Sequence, residues 1–182
     1  KLGMKSLAIT DHGALYGAID FYREAKKSNI KPIIGCEMYM ARGSRFDRNP
    51  NEKIHHMTVL AKDLNGYQNL VELVTKAHLE GYYKKPRVDK ELLEKHSDGL
   101  VVMSGCPSGE IPWLLAQDRY DEALDSANWY KELFGTYFFE LMSHGGVPDL
   151  PRINQGLYEL NKRTGIPLVA TNDSHYVLQE HA

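Results

Sequence analysis

Cysteine is scarce in this 182-residue sequence: Cys36 and Cys106 are its only two, far apart and without CxxC spacing. That excludes a disulfide framework and fits a reducing compartment, while leaving both thiols open as metal ligands. No apolar run approaches the roughly 18 residues of a membrane helix, and no apolar stretch follows a basic start as in a signal peptide. A membrane-spanning or secreted role is therefore not expected. Charge of one sign is lacking as well: 22 Lys+Arg against 24 Asp+Glu leave a net charge of −2. No global basic field points to nucleic acid, so any such contact has to be local. Low-complexity segments and internal repeats are absent. What is present, 42% hydrophobic and 25% charged residues, is the composition of a globular chain with one core, read here as a single domain over 1–182.

Apolar, partly β-branched runs that end in polar clusters alternate with amphipathic stretches of helical length, the pattern of an α/β protein. Strands are expected at Leu7 to Thr10, Pro32 to Ala41, His56 to Lys62, Leu100 to Met103, Tyr137 to Met142 and Leu168 to Thr171. Helices are expected at Ala14 to Ser28, Leu64 to Leu79, Asp89 to His96, Glu110 to Ala116, Tyr120 to Leu133 and Pro151 to Thr164, the last with proline well placed for a first turn. Arg42 to Lys53 has no periodicity and reads as a loop. Lys1-Leu2-Gly3 reads as the last turn and cap of a helix, and Gln179-Glu180-His181-Ala182 stops without a turn or tail. Both ends suggest a piece of a longer chain.

The polar residues fall in a particular place: Asp11-His12, Cys106, His144 and Asp173 with His175 each follow an expected strand. In parallel α/β barrels the strand C-termini converge on one cavity, so these side chains should meet there as metal ligands. Such a donor set suits zinc, manganese or iron better than magnesium alone. Clustered divalent metals activate water and clamp a phosphoester. Glu37 is the most telling residue, because a carboxylate inside the apolar strand Ile33-Ile34-Gly35-Cys36-Glu37-Met38-Tyr39 must be paired or coordinated. Plainer readings stay open. Asp11-His12-Gly13 is also a turn and helix cap, Asp173-Ser174-His175 an Asx-turn, and Cys106 a small core residue. His78, His96 and His181 fit exposed helix or terminal positions.

Five strings together resemble one family, the polymerase and histidinol phosphatase domain, in its bacterial replicative-polymerase branch. They are Leu7-Ala8-Ile9-Thr10-Asp11-His12-Gly13, Lys31-Pro32-Ile33-Ile34-Gly35-Cys36-Glu37, His55-His56-Met57-Thr58-Val59-Leu60-Ala61-Lys62, Ser104-Gly105-Cys106-Pro107-Ser108-Gly109-Glu110 and Ala170-Thr171-Asn172-Asp173-Ser174-His175-Tyr176. The resemblance implies a distorted TIM-like barrel of about seven βα units around a centre of up to about three divalent metals. It places His12, Glu37, His56, Cys106, Asp173 and His175 at ligand positions, with Glu37 bridging two metals and with Asp173, Glu37 and His12 as the catalytic group. His56 rather than His55 takes the ligand position, although a rule based on strand ends does not select it. Cys106 stands where free-standing phosphoesterases of the family carry histidine. The family's first motif, a His-x-His pair on an earlier strand, is absent, which leaves Glu37, His56 and Cys106 for one metal and only pairs of ligands for the others. A metal-deficient chain short of its first barrel strand is the expectation.

The resemblance further implies a bacterial cytoplasmic protein whose partners are DNA, a proofreading exonuclease subunit and other replicase subunits. Its own chemistry would be phosphodiester hydrolysis of the 3′→5′ exonuclease kind. A metal-stabilised scaffold for the proofreading subunit and a free-standing phosphatase acting on a small metabolite such as histidinol phosphate stay as alternatives. Two basic segments, Arg42 to Arg48 and Tyr82 to Arg87, have the composition for phosphate contact and base stacking, or simply of solvated loops.

Overall fold

Alternation with a period of two sorts each strand into a face turned to helices and a face turned to a cleft. The computed structural model describes residues 3–181; Lys1 and Leu2, read above as part of a helix end, and Ala182 lie outside them. The elements run β1 Ser6–His12, α1 Ala18–Lys27, β2 Lys31–Met40, β3 His55–Ala61, α2 Leu64–Leu79, β4 Arg87–Val88, α3 Lys90–Lys95, β5 Leu100–Met103, α4 Glu110–Ala116, α5 Tyr120–Phe134, β6 Tyr137–Leu141, α6 Leu150–Thr164 and β7 Leu168–Ala170. A 3-10 turn at Gln179–His181 follows.

The strands form one seven-stranded sheet in the order β1-β2-β3-β5-β6-β7, with β4 on β2. β1 and β7 are its edges, so it is a half-barrel of mixed α/β type. β3 pairs antiparallel with both β2 and β5, whereas every other pairing is parallel. β3 alone therefore runs against the rest, and its first residues lie at the edge where the other strands end. Cys36, Met38 and Met40 of β2, Met57 and Val59 of β3, Val102 of β5 and Phe139 of β6 point to the helices and join Leu70, Leu73, Leu92, Leu157 and Leu160 in one core. The helices begin where sequence chemistry dictates: the Asp63 carboxylate accepts the Gly66 amide at 2.9 Å to cap α2, and Asp89 accepts that of Leu92 at 3.0 Å to cap α3.

Two sequence expectations give way. Asp11-His12-Gly13 is not a helix cap: Asp11 and His12 continue β1 by pairing with Cys36 and Glu37, and α1 waits until Ala18, with Gly17 at its cap position. The basic segments are solvated loops only in part: Arg42, Arg48, Lys84 and Lys85 are exposed, but Arg45 and Arg87 are not. Arg87 is fully buried; its guanidinium meets Glu52 at 3.1 Å and donates to the carbonyls of Gly81 and Arg45 at 3.1 and 3.0 Å. Arg45, also buried, holds Asp89 at 3.0 Å and Glu80 at 2.8 Å. These arginines knit the 42–53 loop to α2 and to the short strand β4, which the sequence pattern did not show.

Removing one partner of a buried ion pair leaves an uncompensated charge, a change that costs about 3–5 kcal/mol. Arg87→Ala should lower the free energy of denaturant unfolding by that amount. A loss below about 1 kcal/mol, typical of exposed pairs, would show the arginine network to be incidental.

Candidate metal centre

Register carries the site. β1, β2, β3 and β5 place His12, Glu37, Thr58 and Met103 on one rung, and Tyr39 opposite His56 on the next. Because β3 runs backwards, its second residue reaches the same edge as the last residue of β1. Cys106 sits in the turn after β5, and Asp173 and His175 in the segment after β7. His12, Glu37, Cys106, Asp173 and His175 line one cleft of about 750 Å3, with His56 beside it against Glu37 and Cys106.

Three ligand types meet most tightly at its floor. His56 Nδ1 lies 2.7 Å from Glu37 Oε1 and 3.4 Å from Cys106 Sγ. The donor atoms of Glu37, His56 and Cys106 all fall within 4.8 Å of one another, the spacing of a group able to hold a divalent ion. Glu37 turns its other oxygen, Oε2, toward His12 Nε2 at 3.4 Å, so a single carboxylate faces donors on two sides. The His12 ring meets that of His175 at 5.3 Å between centroids, and Asp173, in the left-handed region at φ 48°, holds its carbonyl oxygen 2.8 Å from His175 Nδ1. Tyr39 buttresses the floor, its ring edge-on to His56 at 5.3 Å.

Electrostatics agree with the geometry. The neighbouring Cys106 sulfur and the Glu37 carboxylate push the His56 imidazole up to about 9. Burial alone would raise the Glu37 carboxyl; the His56 hydrogen bond and the charges of His56, His12 and His175 outweigh it and hold the group below the ordinary carboxylate range. The proton on His56 thus supplies, between a carboxylate and a sulfur, the positive charge that a metal cation would supply there. Carboxylate, imidazole and sulfur are together the donor types of a divalent-metal site.

Several residues stand apart from this cluster. His55 points the other way, buried against the Trp113 ring at 5.2 Å with Nδ1 on the Ser108 carbonyl, and burial pushes its imidazole down. His144 does not join the cleft: it lines a separate pocket with Asn154, because the turn after β6 carries it over the start of α6. His78 is not an exposed helix residue but reaches the Gly13 carbonyl at 2.9 Å. Cys36 faces the core, and burial pushes its thiol up to about 12, so it is no ligand. Sequence reasoning passed over Glu140, a buried carboxylate in the cleft wall that burial holds above the ordinary range. The signal was the one that singled out Glu37, an acid inside an apolar strand, here Tyr137-Phe138-Phe139-Glu140-Leu141.

The chain belongs to the PHP domain family, whose model matches residues 1–144. Its relatives include the DNA polymerase III alpha subunits of Thermus aquaticus, 47% identical over 97% of this chain, and of Borreliella burgdorferi, 44% identical over all of it. That of Treponema pallidum is 47% identical over 98%. The chain spans about a sixth of the length of these relatives, 15% of the first and 16% of the other two. Among solved structures, a candidate metal-dependent phosphoesterase from Bifidobacterium adolescentis superposes with a TM-score of 0.59 at 13% identity, covering 97% of this chain and 79% of its own; at that identity the likeness shows the fold.

The raised His56 group sets a pH dependence. A group whose folded value lies above its ordinary 6.5 stabilises the fold fully below 6.5 and loses that contribution as pH rises through about 9. The melting temperature of metal-free protein should fall across that window, and Glu37→Gln should flatten the fall. An unchanged slope in Glu37→Gln would rule out the pair as its source.

Proposed function

We propose that this chain is the metal-binding PHP domain of a bacterial DNA polymerase III alpha subunit, and that its own activity is metal-dependent hydrolysis of a phosphodiester, in the 3′→5′ exonuclease sense. The observation that carries the proposal is the Glu37, His56 and Cys106 cluster at the floor of a cleft rimmed by His12, Asp173 and His175. The polymerase identity rests on relatives 44–47% identical over nearly the whole chain, and polymerisation itself belongs to the rest of such a protein. The segment past residue 144 is part of the same domain in this reading, since β7 pairs with β6 and His175 packs on His12.

Glu37, His56 and Cys106 would hold one divalent cation, and His12 with Asp173 and His175 would share in up to about two more, zinc, manganese or iron being favoured and magnesium possible. Bound there, such ions supply charge to neutralise a phosphate and lower the acidity barrier of a water nucleophile. Glu37 orients both sides of the cleft, its two oxygens fixing His56 and His12. The aromatic face of Tyr39 and the packed floor beneath exclude bulk water from that side. Asp173 lines the cleft that a DNA 3′ end would enter. The partners in this reading are DNA, the proofreading exonuclease subunit and other replicase subunits, in the bacterial cytoplasm. Among the described residues no helix is long and apolar enough to cross a membrane.

A second reading, a metal-stabilised scaffold that docks the proofreading subunit, is favoured by one feature: the contacts of Glu37, His56 and Cys106 join β2, β3 and the turn after β5, so an ion held there would brace the fold whether or not it served catalysis. A nuclease assay separates the two. In full-length protein, Mn2+-dependent removal of a mismatched 3′ nucleotide should fall more than about 100-fold in Asp173→Asn, since partners one layer further out already cost about 10- to 100-fold. A scaffold has no metal-dependent cleavage to lose.

A further inference from the structure

Glu140 is the one buried carboxylate of the cleft wall that the proposed chemistry leaves unused. It projects from β6 with 5% of its surface exposed, and among the described residues no Lys, Arg or His forms an ion pair with it. A buried acid without a cation survives only if hydrogen bonds replace its hydration. Here Oε2 accepts the Gly105 amide at 2.6 Å and the Thr58 hydroxyl at 3.1 Å. The Glu140 backbone amide donates to Ser104 Oγ at 2.9 Å, and the Ser104 amide to the Phe138 carbonyl at 3.0 Å.

These bonds have consequences for two metal-ligand neighbours. Gly105 precedes Cys106 and stands at φ 77°, where a side chain would come within 2.7 Å of the His56 carbonyl oxygen, so the turn is pressed onto the start of β3. Thr58 is the cross-strand partner of Glu37 and lies two residues from His56. One carboxylate thus ties the turn that carries the sulfur to the strand that carries the imidazole, on the rung of the bridging carboxylate. We propose that Glu140 is a positioning residue of the metal centre: by clamping the Gly105 amide to Thr58 it fixes the Cys106 sulfur at bonding range of the His56 and Glu37 site. This rests on the reading of Glu37, His56 and Cys106 as metal ligands.

Cobalt(II) tests it, because a thiolate bound to cobalt gives a near-ultraviolet charge-transfer band that a merely structural role would not move. In full-length protein titrated with Co2+, the wild type should show a band absent from Cys106→Ser. Glu140→Ala should lose most of that band and bind Co2+ about 10- to 100-fold more weakly at an unchanged cooperative melt, the range for residues that orient ligands. Glu140→Gln, which keeps an acceptor for the Gly105 amide, should recover most of both. Should Glu140→Ala not fold, Thr58→Val decides by the same readout: a weakened band supports the clamp and a wild-type band overturns it. A wild-type band and affinity in a folded Glu140→Ala overturn the inference alone. No thiolate band in the wild type overturns the metal reading and the inference with it.

Discussion

The site depends on the register of β2 between β1 and β3. Side chains alternate across a strand, so Cys36, Met38 and Met40 enter the core while Glu37 and Tyr39 face the cleft. A slip of one residue would drive the Glu37 carboxylate into the packed layer of Leu70 and Leu73 and turn the Cys36 thiol outward. That error is costly on both counts, a buried unpaired acid and a row of methionines in water, and the penalty pins the rung of His12, Glu37 and Thr58. The distance from Glu37 to His56, one rung away, follows from that pairing, and Cys106, Asp173 and His175 are brought to it by the segments after β5 and β7.

The direction of β3 is the second determinant. In a wholly parallel sheet the residues that start a strand lie far from those that end one, and His56 would have been remote from His12. With β3 reversed, the beginning of one strand meets the ends of its neighbours. The loop 41–54 that permits this reversal has little apolar content of its own, and it is held by buried Arg45 and Arg87 with their acidic and carbonyl partners. Two of the cations in the basic segments, Arg45 and Arg87, thus shape a loop from inside the protein, while Arg42, Arg48, Lys84 and Lys85 stay at the surface.

Strand and helix limits were mostly legible, because periodicity and caps are local: α2, α4 and β5 fall where apolar spacing puts them. Strand direction, the two-residue strand β4 and the bury-or-expose choice for Arg45 are set by distant partners and leave no local mark. At the site, Glu37 announced itself as an acid in an apolar strand, and His12, Cys106, Asp173 and His175 by following strands. His56 came from family resemblance alone, since the antiparallel turn that brings it in is a tertiary fact. His144 followed a strand equally well yet is carried off by the turn into α6. Glu140 carried the same signal as Glu37, an acid inside an apolar strand, and was passed over.

In the proposed reading, His56, Glu37 and Cys106 hold a cation where His56 otherwise carries a proton between carboxylate and sulfur. Anomalous diffraction at the zinc edge, from crystals of the protein grown with Zn2+, tests it most directly. A peak about 2.0–2.3 Å from a His56 nitrogen, a Glu37 oxygen and the Cys106 sulfur is the expected result. A zinc-containing crystal with no peak there, and the His56–Glu37 contact still at its metal-free distance of 2.7 Å, would contradict it.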